Sequence, residues 1–220
     1  MNYEPDNHSS IERLAGFIYR FFPAHDAAKS VESFLLLHGT GGDENDLLSL
    51  GQMLAGGRRD VALLSPRGQV MESGMPRFFR RLAEGMFDEA DLIRRTHELA
   101  GFIEQATQKY TLDENRITAI GFSNGANIAA SILLLRPGLL RRAVLFHAMV
   151  PLVPGELPDL SGTPVFLGAG RLDPIVPTEN TERLAAMLHE AGAEVELFWH
   201  MGGHRLTREE VEKAKQWLAK

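Results

Sequence analysis

The 220-residue chain carries 29 acidic against 23 basic side chains, a formal net charge of -6 that argues against nucleic acid as its main partner. Its 44% hydrophobic and 24% charged content is that of a folded chain able to bury one sizeable core, which excludes wholesale disorder. Cysteine is absent, so disulfides, thiolate metal sites and a cysteine nucleophile are excluded, and the polar first residues and the lack of a long apolar run lead us to expect a cytoplasmic protein without membrane insertion.

Residues 1–14 are polar enough to predict a flexible arm, leaving 15–220 as one domain. Residues 16–22 predict a first strand, antiparallel and at the sheet edge, stopped by Pro23. Further strands are predicted at 33–38, 61–65, 117–122, 143–148, 164–169 and 195–200, with helical patterns between them. Such alternation predicts an α/β fold: a mostly parallel central sheet of about seven strands with helices on both faces.

Residues 66–87 mix glycine, proline, methionine and aromatics without clean periodicity and read as an active-site loop. In it Met71, Met75, Phe78, Phe79 and Phe87 either line an acyl or aryl pocket or fill core, while Arg77, Arg80 and Arg81 beside Glu84 and Asp88 read as a solvated mixed-charge face. The clearest helix spans 88–110, with Leu92, Leu99, Ile103 and Ala106 at helical spacing and Asp88 placed to cap it. Residues 124–135 are apolar nearly all round, as a buried helix requires, and Val211, Ala214, Trp217 and Leu218 stripe a final helix.

Chemistry enters at Gly121-Phe122-Ser123-Asn124-Gly125, which follows a predicted strand and opens a predicted helix. A Gly-x-Ser-x-Gly turn in that context lifts a serine hydroxyl above the carboxyl edge of the sheet. A serine hydroxyl needs a base and a group that orients the base. Asp173 lies on the loop after the strand at 164–169, and His204 follows Gly202 and Gly203 after the strand at 195–200. We therefore expect Ser123 as nucleophile, His204 as base and Asp173 as its orienting carboxylate. Upstream, the strand at 33–38 runs into His38-Gly39-Thr40-Gly41-Gly42, so the N–H groups of Thr40 and of Asn124 are the expected oxyanion donors.

Together these residues resemble the phospholipase/carboxylesterase family of α/β-hydrolases, which also contains the acyl-protein thioesterases. The resemblance rests on residues 37–43, 113–125, 171–177 and 202–204, and covers most of 17–218. Residues 66–81 look most like the bacterial hydrolases associated with hydroquinone and quinone resistance. The resemblance implies an α/β-hydrolase fold without a large lid. Two positions depart from the thioesterase pattern: Asn124 stands where glutamine is usual, and Ala126 where glycine is common. Both keep the backbone donor but weaken the case for thioesters.

The alternatives are specific. Asp159 rivals Asp173, but sits between Pro158 and Leu160 in what reads as a surface loop. His200 is four residues from His204, a metal-ligand spacing on a helix that Gly202 and Gly203 disfavour. His147, at the end of a predicted strand, either lines the pocket or is a satisfied core histidine, the latter being preferred, and His38 reads as a loop organiser. The tentative pocket comprises His38, Gly39, Met75, Phe78, Phe79 and Ile175. The preferred function is a serine hydrolase of small-molecule carboxylic esters working through an acyl-enzyme, with no cofactor and no metal. An acyl thioesterase or lysophospholipase is the enzymatic alternative, and a non-catalytic binding module on a hydrolase fold the other; a homodimer stays open.

Overall fold

The computed structural model describes residues 10–26, 31–83 and 85–220. In chain order its elements are β1 (Glu12–Leu14), β2 (Phe17–Phe22), β3 (Glu32–Leu37), α1 (Leu48–Ala55) and β4 (Val61–Pro66). Four short strands follow: β5 (Val70–Glu72), β6 (Met75–Arg77), β7 (Arg81–Ala83) and β8 (Met86–Phe87). Then come α2 (Glu89–Tyr110), β9 (Ile117–Phe122), α3 (Asn124–Leu135), β10 (Arg142–Phe146), β11 (Pro164–Gly170), α4 (Thr178–Glu190), β12 (Glu194–His200) and α5 (Arg208–Leu218).

The main sheet has eight strands in the order β1-β2-β4-β3-β9-β10-β11-β12, antiparallel only where β2 meets β1 and β4. Its buried strands alternate sides residue by residue. Leu35 and Leu37 of β3 face one cluster with Leu92, Leu99 and Phe102 of α2 and Ile128 of α3, while Phe34 and Leu36 face another with Leu54 of α1 and Trp217 of α5. Each of these side chains contributes roughly 1.5–3 kcal/mol on burial, so both faces must be covered, as the α/β-hydrolase fold provides. Asp88 caps α2 by accepting from the Asp91 N–H. No helix among the described residues is long and apolar enough to cross a membrane.

Two expectations are corrected. The predicted edge strand is second from the edge, because Glu12–Leu14 pairs with it across Ala15 and Gly16, both at positive φ as a two-residue hairpin turn requires. Only those three residues of the expected arm change its reading; residues 1–9 lie outside the described residues. The irregular loop at 66–87 contains two antiparallel hairpins, β5–β6 and β7–β8, whose strands of three residues or fewer are too short to show a period.

The chain runs from β3 outward to β4, then returns and continues from β9 in the opposite direction. The reversal leaves a crevice at the carboxyl ends of β3 and β9, where α/β folds place their ligands.

Candidate active site

Ser123 lies between β9 and α3 with φ 51° and ψ -114°, a left-handed backbone that a side-chain-bearing residue rarely adopts. Close packing sustains it. A β-carbon on Gly121 would lie 2.7 Å from the Ala126 backbone, and one on Gly125 1.9 Å from the Leu37 carbonyl oxygen. Only glycine lets α3 approach β3 and β9 this closely. The Ser123 N–H donates to Phe146 O at 2.9 Å, which pins the turn to β10.

His204 Nε2 lies 2.8 Å from Ser123 Oγ, and His204 Nδ1 lies 2.7 Å from Asp173 Oδ2. An ionised carboxylate only accepts, so Nδ1 carries the proton and Nε2 accepts from the serine hydroxyl. Asp173 Oδ1 accepts the N–H groups of Ile175 at 2.8 Å and Val176 at 3.0 Å, which fixes the carboxylate on its own turn. Burial pushes the Asp173 carboxyl upward in pKa. Bonds from His147, from the Val176 and Ile175 N–H groups and from His204 outweigh burial and hold it below the usual range. Ser123, His204 and Asp173 thus meet, whereas Asp159 accepts from the Ser161 N–H in its own loop.

The Thr40 N–H donates to no backbone acceptor among the described residues, and Asn124 opens α3, where N–H groups lack helical partners. Both residues line the cavity of about 290 Å³ that Ser123 and His204 also border. The loop bearing Thr40 is held by Gly41 N–H donating to Pro76 O at 3.0 Å and by Arg77 Nη1 donating to Thr40 Oγ1 at 2.7 Å. The Asn124 side chain also organises the neighbouring chain, its Oδ1 accepting the Phe78 N–H at 2.7 Å.

Of the tentative pocket residues, only Ile175 borders this cavity, with Phe87 beside it. Phe78 and Phe79 are core residues, and Met75 and Met71 lie exposed on the β5–β6 hairpin. Gly39 packs beneath Phe122, 2.8 Å from ring to the position of an added β-carbon. His38 is buried with both ring nitrogens engaged, Nδ1 donating to Gly39 O at 2.7 Å and Nε2 accepting from the Gly68 N–H at 2.9 Å. Burial, partly offset by the Gly39 carbonyl, lowers its pKa. It ties the Thr40 loop to the chain beyond β4.

Glu210 and Arg77 were not singled out for this site, and His147, preferred as a core histidine, is wholly buried and also borders the cavity. His147 Nδ1 lies 2.8 Å from Asp173 Oδ2, so this carboxylate oxygen serves two imidazoles. His147 Nε2 faces Glu210 Oε2 at 3.5 Å, and His200 Nε2 meets the same oxygen at 3.5 Å. Glu210 is wholly buried under Gly168, and its place at the third position of α5 was legible as a Thr207-x-x-Glu210 capping box. Its depth was not. Arg77, expected on a solvated face, is 3% exposed and forms part of the cavity wall; Arg80 alone fits that expectation, pairing with Asp88 at 2.7 Å.

His147, His200 and Glu210 are close enough to share a cation. The tautomers argue otherwise. His200 Nδ1 accepts the Gly202 N–H at 3.0 Å, so its Nε2 carries the proton and points a donor at Glu210. A metal there would require an imidazolate. The trio is a buried cluster behind Asp173 whose two imidazole Nε2 atoms stand at ion-pair distance from one carboxylate oxygen.

Comparison with known proteins agrees with this architecture. The phospholipase/carboxylesterase family profile matches residues 24–220. "Putative hydrolase MhqD" of Bacillus subtilis (strain 168) is 49% identical over 193 residues, 88% of this chain and 95% of MhqD. The crystal structure of the Bacillus cereus carboxylesterase superposes with a TM-score of 0.87 at 49% identity, over 92% of this chain and 93% of that one. The carboxylesterase from Mesorhizobium loti does so at 0.87 and 30% identity, over 97% and 99% of the two chains. The chain is a hydrolase of the phospholipase/carboxylesterase family.

Proposed function

We propose that the protein cleaves carboxylic esters of small molecules through a covalent acyl-enzyme, with Ser123, His204 and Asp173 as its triad. The observation that carries this reading is the unbroken contact chain from Ser123 Oγ through His204 to Asp173, at 2.8 and 2.7 Å. As Ser123 Oγ bonds to the ester carbonyl carbon, its proton passes to His204 Nε2, and Asp173 stabilises the imidazolium. The carbonyl oxygen becomes an oxyanion facing the Thr40 and Asn124 N–H groups, each contributing about 3 kcal/mol to the transition state. Collapse breaks the bond to the alcohol oxygen, which takes the proton from Nε2. Water then gives its proton to His204, its oxygen attacks the acyl carbon, and the acid departs as Ser123 recovers its hydrogen.

A cavity of about 290 Å³ suits small substrates and weighs against the lysophospholipase and long-chain thioesterase alternatives. Steady-state kinetics with p-nitrophenyl esters of graded chain length, beside matched acyl thioesters, tests the reading. Hydrolysis of the short esters supports it; thioester turnover that exceeds ester turnover would move the assignment to a thioesterase.

A further inference from the structure

Among the described residues the cavity beside Ser123 is lined by two guanidinium groups, Arg77 and Arg81, and by no carboxylate. Arg77 is the unusual one. It is 3% exposed, its Nη1 donates to Thr40 Oγ1 at 2.7 Å, and its Nε donates to Phe79 O at 3.2 Å. Its Nη2 makes no hydrogen bond among the described residues. The one carboxylate paired with them among the described residues, Glu72, is shared: Oε1 takes Arg81 Nε at 2.7 Å, and Oε2 stands 3.4 Å from Arg77 Nε. Among the described residues two cations and one anion leave this wall with one positive charge in excess. The negative groups at the far side, Asp173 and Glu210, sit behind His204 and His147.

Burying a guanidinium without a matched anion is costly, and a neutral side chain could fill the same volume. The uncommitted Nη2 and the surplus charge therefore call for an anionic partner inside the cavity. Guanidinium groups recognise carboxylates through paired N–H donors, and more strongly where water is excluded.

Resting on the esterase reading, we infer that the preferred substrates are esters carrying a free carboxylate on their acyl or alcohol portion, held by Arg77 and Arg81. Glu72 tempers the field at this wall. Arg77 also steadies Thr40, so the same cation links the recognised anion to the oxyanion loop.

The test compares isosteric pairs by pH-stat at neutral pH: monoethyl succinate against ethyl 4-methylpentanoate, and acetoxyacetate against isobutyl acetate, each normalised to its uncatalysed rate. The anionic member of at least one pair should show a kcat/KM about tenfold higher or more. Arg81→Gln should lower that ratio several-fold and Glu72→Gln should raise it, opposite signs that common structural damage does not produce. Ratios at or below one in both pairs, or a ratio that neither substitution moves, overturn the inference while leaving the esterase reading intact. Calorimetric titration of Ser123→Ala protein with monoethyl succinate separates the two: binding that Arg81→Gln weakens supports the anion site without turnover, and absence of hydrolysis with every ester sinks the esterase reading instead.

Discussion

His147 and His204 approach the same oxygen of Asp173, at 2.8 and 2.7 Å, and only one of them can reach Ser123. The second imidazole stands between two carboxylates, Asp173 and Glu210, with His200 beyond. It is wholly buried, and its removal leaves both carboxylates short of a partner.

His147→Gln should therefore lower kcat more than it raises KM, because the Asp173 Oδ2 that orients His204 loses its other imidazole contact. Breaking a buried charged pair in this way costs roughly 3–5 kcal/mol of stability. Equal kcat in the variant, measured on a folded preparation, would show that Asp173 holds its place without help.

The same residue sets a pH dependence. Burial pushes the His147 pKa down, but Glu210 and then Asp173 outweigh burial and raise it. A raised folded-state value contributes stability that is full below the unfolded imidazole value of about 6.5 and fades as pH climbs through the higher one. Asp173, held low, contributes above about 3.9 and loses its contribution as pH falls through its depressed value. Urea denaturation across pH should show an alkaline decline above about 6.5 that His147→Gln flattens. An unchanged decline in the variant assigns it to other groups.

Ser123→Ala should abolish ester turnover and labelling by a fluorophosphonate probe with the fold retained. Loss of such a nucleophile typically lowers kcat about a millionfold. Labelling at the wild-type rate would remove Ser123 from the mechanism.

Chain length is the third lever. In a cavity of about 290 Å³ bordered by Phe87 and Ile175, kcat/KM should fall about tenfold or more once the acyl chain outgrows the space. Rates that keep rising to long acyl chains would place the acyl group outside this cavity.

Two glycine substitutions should move stability in opposite directions. Gly125→Ala drives a β-carbon to 1.9 Å from Leu37 O, so α3 or β3 must shift, at a cost of about 3 kcal/mol or more. Gly101→Ala, in α2 with nothing within 4 Å of the added carbon, should stabilise by about 0.5–1 kcal/mol. Thermal denaturation of the two variants reads the contrast directly.

What the sequence revealed follows from where information is local. Ser123, Asp173 and His204 each stand just past a predicted strand, marked by flanking glycines or proline, so the parallel sheet carries all three to one edge. Helix α2 announced itself through period and capping, and α3 through an apolar run following the serine turn. Residues 70–87 did not, because three-residue strands hold no period and their pairing depends on turns such as Ser73-Gly74 at positive φ. Phe78 and Phe79 were legible as apolar but not as core rather than pocket, since that depends on which way the hairpin chain turns. Arg77 and Glu210 were missed for a shared reason: charged side chains are read as solvated unless the partners that bury them are known, and those partners lie 37 and 63 residues away, at Thr40 and His147.

The near-contact of Gly125 with Leu37 separates a rigid part of the site from an adjustable one. Ser123 and the loop bearing Thr40 hang from two backbones locked against each other with no slack for even a methyl group at Gly125. Arg77, Arg81, Gly85 and Phe87, by contrast, reach the cavity from hairpins that lie outside the main sheet. That part of the wall can change without disturbing the main sheet, so a transplant of residues 70–87 from a relative should shift selectivity while Ser123, His204 and Asp173 stay where they are.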